Sequence, residues 1–155
     1  MIREVTGVDA ADLVSVRELM RQYAASFAGT LCFQALEQEL AGLPGRYAPP
    51  SGRLLLAEVD GAPAGCVALH RLSDGLCEMK RLYVRPECRG TGIGVQLVTR
   101  IIGEGRSIGY SAMRLDTIPS LMPEATALYR SIGFREIERY NDNTMPGALF
   151  LELKL

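Results

Sequence analysis

Residues 85–94 read RPECRGTGIG, with glycine at 90, 92 and 94, directly behind the apolar run LYV (82–84) and directly ahead of VQLVTRII (95–102). Glycine has no Cβ, so successive backbone N–H groups can turn into one concavity and the chain can take a positive φ. A helix starting just after such a turn adds the partial positive charge of its N-terminus at the same point. Lys80, Arg81, Arg85 and Arg89 lie around the turn, a local basic cluster in a chain whose formal net charge is −1. The pattern predicts a grip on phosphate oxygens and therefore a phosphorylated ligand.

Two common phosphate motifs do not fit. A dinucleotide fingerprint needs glycine three positions beyond Gly92, where Val95 stands, and too little chain remains for the rest of that fold. A P-loop needs Gly-Lys followed by Ser or Thr, whereas Gly94 is followed by Val95.

The 155 residues suffice for one domain with a real core, and 48% hydrophobic with 23% charged residues is an ordinary globular balance. A net charge near zero gives the whole chain no pull towards nucleic acid or an anionic membrane, so neither is expected as a partner. MIREVTGVDA at the start carries charge and no apolar h-region, and nowhere do eighteen apolar residues run together; a cytoplasmic protein is expected. Cys32, Cys66, Cys77 and Cys88 form no C-x-x-C pair, and the single histidine, His70, has no ligand types around it at metal spacing. Neither a metal site nor a disulfide framework is expected, and most of the cysteines read as small core residues.

Outward from the glycines, the chain divides into periodic segments. IREVT (2–6) reads as a first strand, and Asp9 as the N-cap of a helix carrying Leu13, Val16, Leu19, Met20 and Tyr23 on one face. FQALEQEL (33–40) reads as a second helix ending near Gly42 and Pro44, and GRYAPPSG (45–52) as a loop long enough to lie over a site. RLLLAEV, AGCVALHRL and LCEMKRLYV are three strand-like runs whose separators, VDGAP and SDG, carry hairpin turn chemistry. The helix after the glycines, weakened late by Gly103 and Gly105, leads to the strand SAMRLDT and completes a βαβ unit. A helix from about Ser120 to Gly133, then FREI (134–137) and a terminal strand with Leu149, Leu151, Leu153 and Leu155 alternating, close the chain. The fold class is α+β, a mixed α/β sheet, largely antiparallel, with helices packed on it, in one domain over 1–155.

LYVRPECRGTGIGVQLV (82–98) resembles the acetyl-CoA binding segment of the GNAT superfamily of N-acetyltransferases. That family's pattern of Arg or Gln, two residues, Gly, one residue, and Gly or Ala is met by Arg89, Gly92 and Gly94, and ATALYRSIGFREI (125–137) is similar to its second cofactor-contacting helix and the strand beyond. The resemblance spans the chain. It implies a GNAT-like fold with helices on both faces of the sheet, and an enzyme moving an acetyl group from acetyl-CoA to a primary amine of a small molecule or peptide. It implies that Leu82, Tyr83 and Val84 meet the pantetheine arm and the acetyl carbonyl. Arg89, Gly90, Thr91, Gly92, Ile93 and Gly94 would hold the pyrophosphate, and Tyr129 would lie near the sulfur. Where many relatives carry asparagine, this chain has Met122. A homodimer is in keeping with family habit.

The chemistry needs a base, because a lysine-like amine has a pKa of about 10.4, and an acid for the leaving thiolate. By strand alternation Glu78 shares a face with Lys80, Leu82 and Val84, and is the candidate base; a charged strand-edge residue is its bland alternative. Tyr129 is the candidate acid, or else a core aromatic of its helix stripe. His70 at its strand end, and the hydroxyls of Thr91 and Thr117, are weaker candidates. A reading of another class, a non-catalytic acyl-CoA sensor or interaction domain on the same fold, shares the cofactor loop. The acceptor is unspecified. Ser26, Phe27, Phe33, the loop around Tyr47 and RYNDNTMPGA (139–148) are the segments that would shape its site.

Overall fold

The structure, a computed structural model, describes residues 1–27 and 33–155, the side chains of 33 and 34 excepted; Cys32 and the Phe33 side chain lie outside the described residues. Strand β1 (Ile2–Glu4) is followed by helices α1 (Ala10–Ala25) and α2 (Phe33–Ala41). The meander β2 (Arg53–Val59), β3 (Ala62–Ser73) and β4 (Leu76–Val84) comes next, then α3 (Ile93–Ile108), β5 (Ala112–Thr117), α4 (Pro123–Ile132), β6 (Arg135–Ile137) and β7 (Leu149–Lys154). Among the described residues the strands form one sheet in the order β1-β2-β3-β4-β5-β7-β6, antiparallel throughout except for the parallel pair β4 and β5. The parallel pair is the βαβ unit, and β2-β3 and β3-β4 are the hairpins that the Asp-Gly turns predict; the antiparallel pairs β1-β2 and β5-β7 join strands distant in the chain.

Helices cover both faces. One core joins α3 and α4 to Leu55, Val67, Leu69, Cys77, Met79 and Met113. The other joins α1 and α2 to Leu54, Leu56, Cys66, Ala68 and Tyr83. Alternation in β2 and β3 feeds the two cores from successive residues, which is why both strands read as nearly continuous apolar runs. Asp9 caps α1 as its residue type predicts, its carboxylate accepting from the Ala11 N–H at 2.8 Å. Cys66 and Cys77 are buried core residues. No helix among the described residues is long and apolar enough to cross a membrane.

Several local features differ from the sequence pattern, each with a cause. Helix α4 starts at Pro123, not at Ser120, because Pro fits the first helical position and the N–H groups of Leu121 and Met122 turn back to the Ile118 carbonyl. Gly105 does not weaken α3: the helix runs on to Ile108, and the missing side chain lets Leu155, Met113 and Leu69 close on it. The segment 45–52 is no cover over a site. It makes a 3-10 turn, Tyr47 is fully buried, and the Tyr47 hydroxyl donates to Glu39 at 3.0 Å.

Gly65 on β3 faces Val84 on β4, and a Cβ there would lie 2.6 Å from the Tyr83 carbonyl oxygen. Backbone cannot swing away as a side-chain tip can, so Gly65→Ala pushes on the last turn of β4. We expect a loss of about 1–3 kcal/mol in urea unfolding; an unchanged midpoint would mean that β4 yields freely at this end.

Candidate active site

Strands β4 and β5 pair only through Leu76, Cys77 and Glu78 opposite Ala112, Met113 and Arg114. Beyond that register β4 continues to Val84 and β5 to Thr117 without a shared ladder, so the two strands are unpaired there. The β4 edge facing the gap keeps backbone donors and acceptors available to a ligand. A cleft of about 500 Å³ occupies this opening, lined by Leu82, Tyr83 and Val84 on β4, by the glycine turn, by residues 121–125 and by Tyr23, Ser26 and Phe27 from the end of α1.

A bulge shapes the β4 wall. Cys66 faces Tyr83 and Ala68 faces Lys80, so Val67 alone spans Arg81 and Leu82, and Arg81 takes φ +62°. The extra residue reverses the parity of the strand. Leu82 and Val84 therefore turn to the α3 side with Cys77 and Met79, while Tyr83 turns to the α1 side. Simple alternation had put Glu78 on one face with Leu82 and Val84; the bulge separates them.

The glycine turn has the geometry of an anion cradle. Gly90 and Gly92 take φ +77° and +87°, where a Cβ would be strained. Gly92 is the N-cap of α3 and supplies no side-chain cap, so the first N–H groups of the helix stay open. Arg85 and Arg89 flank the turn. The Arg85 Nε is buried without a partner, an orphaned donor that a phosphate oxygen would satisfy. Arg89 folds against the Val84 carbonyl at 3.0 Å with its guanidinium over the Tyr83 ring. Thr91 bonds the Cys88 carbonyl as a turn residue, and Ile93 is buried at the start of α3. These features fit the pyrophosphate of a coenzyme A. Lys80 and Arg81 are not part of the cradle: Lys80 lies 3.6 Å from Glu78, and Arg81 binds Glu39 of α2 at 2.9 and 3.3 Å.

On the α1 side of the gap lies a polar network. Glu78 is 4% exposed and accepts from His70 Nε2 at 2.8 Å and from the Tyr140 hydroxyl at 2.6 Å. His70 Nδ1 meets the Arg71 carbonyl at 2.7 Å, so both ring nitrogens are engaged and His70 holds Glu78 instead of facing the cleft. Asn141 donates to Asp116 at 2.6 Å and approaches Glu78 at 3.4 Å. Burial by itself raises the Glu78 carboxyl, but the His70 hydrogen bond, the Lys80 charge and the Tyr140 hydrogen bond outweigh it and hold the group at about 2. Tyr129 is 6% exposed, packs on Phe134 and makes no hydrogen bond among the described residues. Burial drives its hydroxyl far above the ordinary tyrosine value, and the Tyr23 hydroxyl and Asp116 add to this. Thr117 is satisfied in the core by Thr126 at 2.9 Å.

The structure thus brings Leu82, Tyr83, Val84 and the glycine turn together around one cleft, with Glu78 and Tyr129 behind its walls. Asp116 was not read as a site residue from the sequence, and Tyr140 and Asn141 were covered only by the segment 139–148 expected to shape the acceptor site, without roles of their own. The 139–148 stretch signals only a polar loop, and nothing local ties it to a strand some sixty positions earlier. Among the described residues no group of His, Cys, Asp or Glu could hold a metal ion.

An opened parallel strand pair beside an uncapped helix N-terminus is a place for an extended ligand that carries phosphates. Residues 13–134 match the Acetyltransferase (GNAT) family. An uncharacterized N-acetyltransferase of Schizosaccharomyces pombe is 43% identical over 146 residues, which are 93% of this chain and 89% of that one. A GNAT-family acetyltransferase from Staphylococcus aureus superposes with TM-score 0.83 at 19% identity, over 99% of each chain. An aminoglycoside 6'-N-acetyltransferase complexed with coenzyme A does so with TM-score 0.71 at 14% identity, over 99% of this chain and 96% of that one. The two structures share the fold; the family match and the yeast relative carry the assignment. The chain belongs to the GNAT family and is an acetyl-CoA-dependent acetyltransferase.

The Glu78 shift sets a pH dependence. The folded carboxyl, at about 2, holds its proton less tightly than the unfolded one at 4.5, so its stabilisation is complete above pH 4.5 and is lost as pH falls towards 2. It is worth on the order of 2–3 kcal/mol. Glu78→Gln should remove this part of the acid decline when unfolding free energy is followed from pH 6 to pH 2; parallel curves for variant and wild type would refute it.

Proposed function

We propose that the protein transfers the acetyl group of acetyl-CoA to a primary amine of a small molecule or peptide by direct attack of the amine on the thioester. The observation that carries this reading is the opening of β4 from β5 beside the uncapped N-terminus of α3. It leaves a strand edge for a pantetheine arm and an anion cradle at one end, with carboxylates at the other.

Acetyl-CoA supplies the activated acetyl group and a thiolate leaving group. Residues 89–94 and Arg85 hold its phosphates; Leu82, Tyr83 and Val84 offer the backbone edge, on which an N–H can stabilise the carbonyl oxygen as it gains charge. Tyr129 keeps its proton at any working pH, because burial raises its hydroxyl, and lends it to the departing sulfur. Glu78 contributes as a fixed negative charge that favours an ammonium at the α1 side of the gap. Its oxygens are occupied by His70 Nε2 and the Tyr140 hydroxyl, with Lys80 nearby, so it acts through its charge and not as the group that takes the amine's proton. Its charge, and the orientation of Tyr140 and Asn141 that it fixes, are what it supplies.

Purified protein given acetyl-CoA and a pool of free amino acids, polyamines, aminoglycosides and peptides should release CoA in an amine-dependent way. Tight acetyl-CoA binding with no release across the pool would move weight to an acyl-CoA sensor. With an acceptor identified, Tyr129→Phe should lower kcat on the order of 100-fold, the low end for a general acid, with a smaller change in KM for acetyl-CoA. An unchanged kcat would remove Tyr129 from the chemistry.

A further inference from the structure

Two carboxylates face the α1 side of the gap, and their surroundings differ. Glu78 is saturated by His70, Tyr140 and the nearby Lys80. Asp116 forms no ion pair among the described residues, and its one side-chain hydrogen bond comes from the neutral amide of Asn141. In the parallel register Arg114 stands opposite Glu78, so Asp116, two residues further on, shares that face at the level of Lys80, inside the gap where the ladder has ended.

Asn141 is held for this contact. Its Oδ1 accepts the Asn143 N–H at 2.9 Å, which turns its NH₂ group to the carboxylates. One amide does not neutralise a half-buried carboxylate, so a cation brought beside it would gain a partner that the chain itself leaves open. The Asp116 charge acts on both the Tyr23 hydroxyl, on the cleft wall, and the Tyr129 hydroxyl. The Tyr129 hydroxyl makes no hydrogen bond among the described residues, which leaves it free to meet a bound reactant.

We propose that Asp116 is the catalytic carboxylate that receives the acceptor as an ammonium and takes its proton, the nitrogen then lying between Asp116 and Tyr129. This rests on the amine acetyltransferase reading above. Asp116 takes one proton from the ammonium, directly or through a water, and later returns it to solvent. The neutral nitrogen forms the C–N bond as the C–S bond breaks. Tyr129 gives its proton to the sulfur and regains one from the acylated nitrogen, so one ammonium and acetyl-CoA become one amide, one thiol and one released proton.

The test compares wild type, Asp116→Asn and Asp116→Glu in amine-dependent CoA release with the same amine pool, with acetyl-CoA binding measured by calorimetry on each. The expected result is a fall of about 100-fold or more in release for Asp116→Asn, acetyl-CoA affinity held within about twofold, and partial activity in Asp116→Glu. Release by Asp116→Asn at the wild-type rate would overturn this proposal and leave the acetyltransferase reading intact. A parallel loss of acetyl-CoA affinity would also overturn it, by making Asp116 a structural support of the cleft. Wild-type release that did not depend on amine would take down the parent reading and this proposal with it.

Discussion

The Arg81 bulge is the constraint on which the site depends. A non-glycine residue at φ +62° costs on the order of 1–2 kcal/mol, which the surrounding contacts must offset. What holds it is the forked bond to Glu39, itself gripped by Arg46 at 3.2 Å and by the Tyr47 hydroxyl, while Cys66 Sγ approaches the Arg81 carbonyl at 3.4 Å. Burial would cost each of these charges heavily if it stood alone, so the cluster stands or falls as a unit. Helix α2, the 45–52 segment and β4 are thereby locked at one point. The parity reversal follows from that lock. Without it Leu82 and Val84 would face α1, and the α3 side of the cleft would lose its apolar wall.

The same reversal explains why a strand carrying LCEMKRLYV can serve two chemistries. Before the bulge, its α1-facing residues are charged, and Glu78 and Lys80 sit in a polar network completed by His70, Tyr140 and Asn141. After it, Leu82 and Val84 line the approach to the glycine turn. One strand thus divides the gap into an ionic part and an apolar part, and the division falls where β5 leaves the ladder.

Much of this fold was legible from local rules. Asp-Gly separators announced the meander, the 3.6-residue period announced α1, α3 and α4, and the alternate glycines announced the cradle, because each rests on the backbone needs of a few adjacent residues. The bulge was hidden since Arg81 is neither glycine nor asparagine, and a positive φ at arginine leaves no compositional mark. Glu78 was found but its company was not: three of its four partners lie eight or more positions away, and two of them come from the 139–148 loop. Tyr47 looked like a loop-tip aromatic because Pro and Gly surround it, whereas its burial is decided by Glu39 and His70 across the core.

On the proposed reading, polarity also sorts the two substrates. Open N–H groups, Arg85 and Arg89 stand at one end of the gap, and Asp116 and Glu78 at the other. Inside a half-buried cleft, charges a few ångströms apart interact several times more strongly than they would in water. The polyanionic end of acetyl-CoA is therefore repelled from the acceptor pole, and an ammonium gains nothing at the cradle. Neither substrate can settle in the other's place, and each is drawn to the end from which its reacting atom points into the gap. A chain with a net charge of −1 achieves this with no global field, because the selection is made by where its few unpaired charges are left.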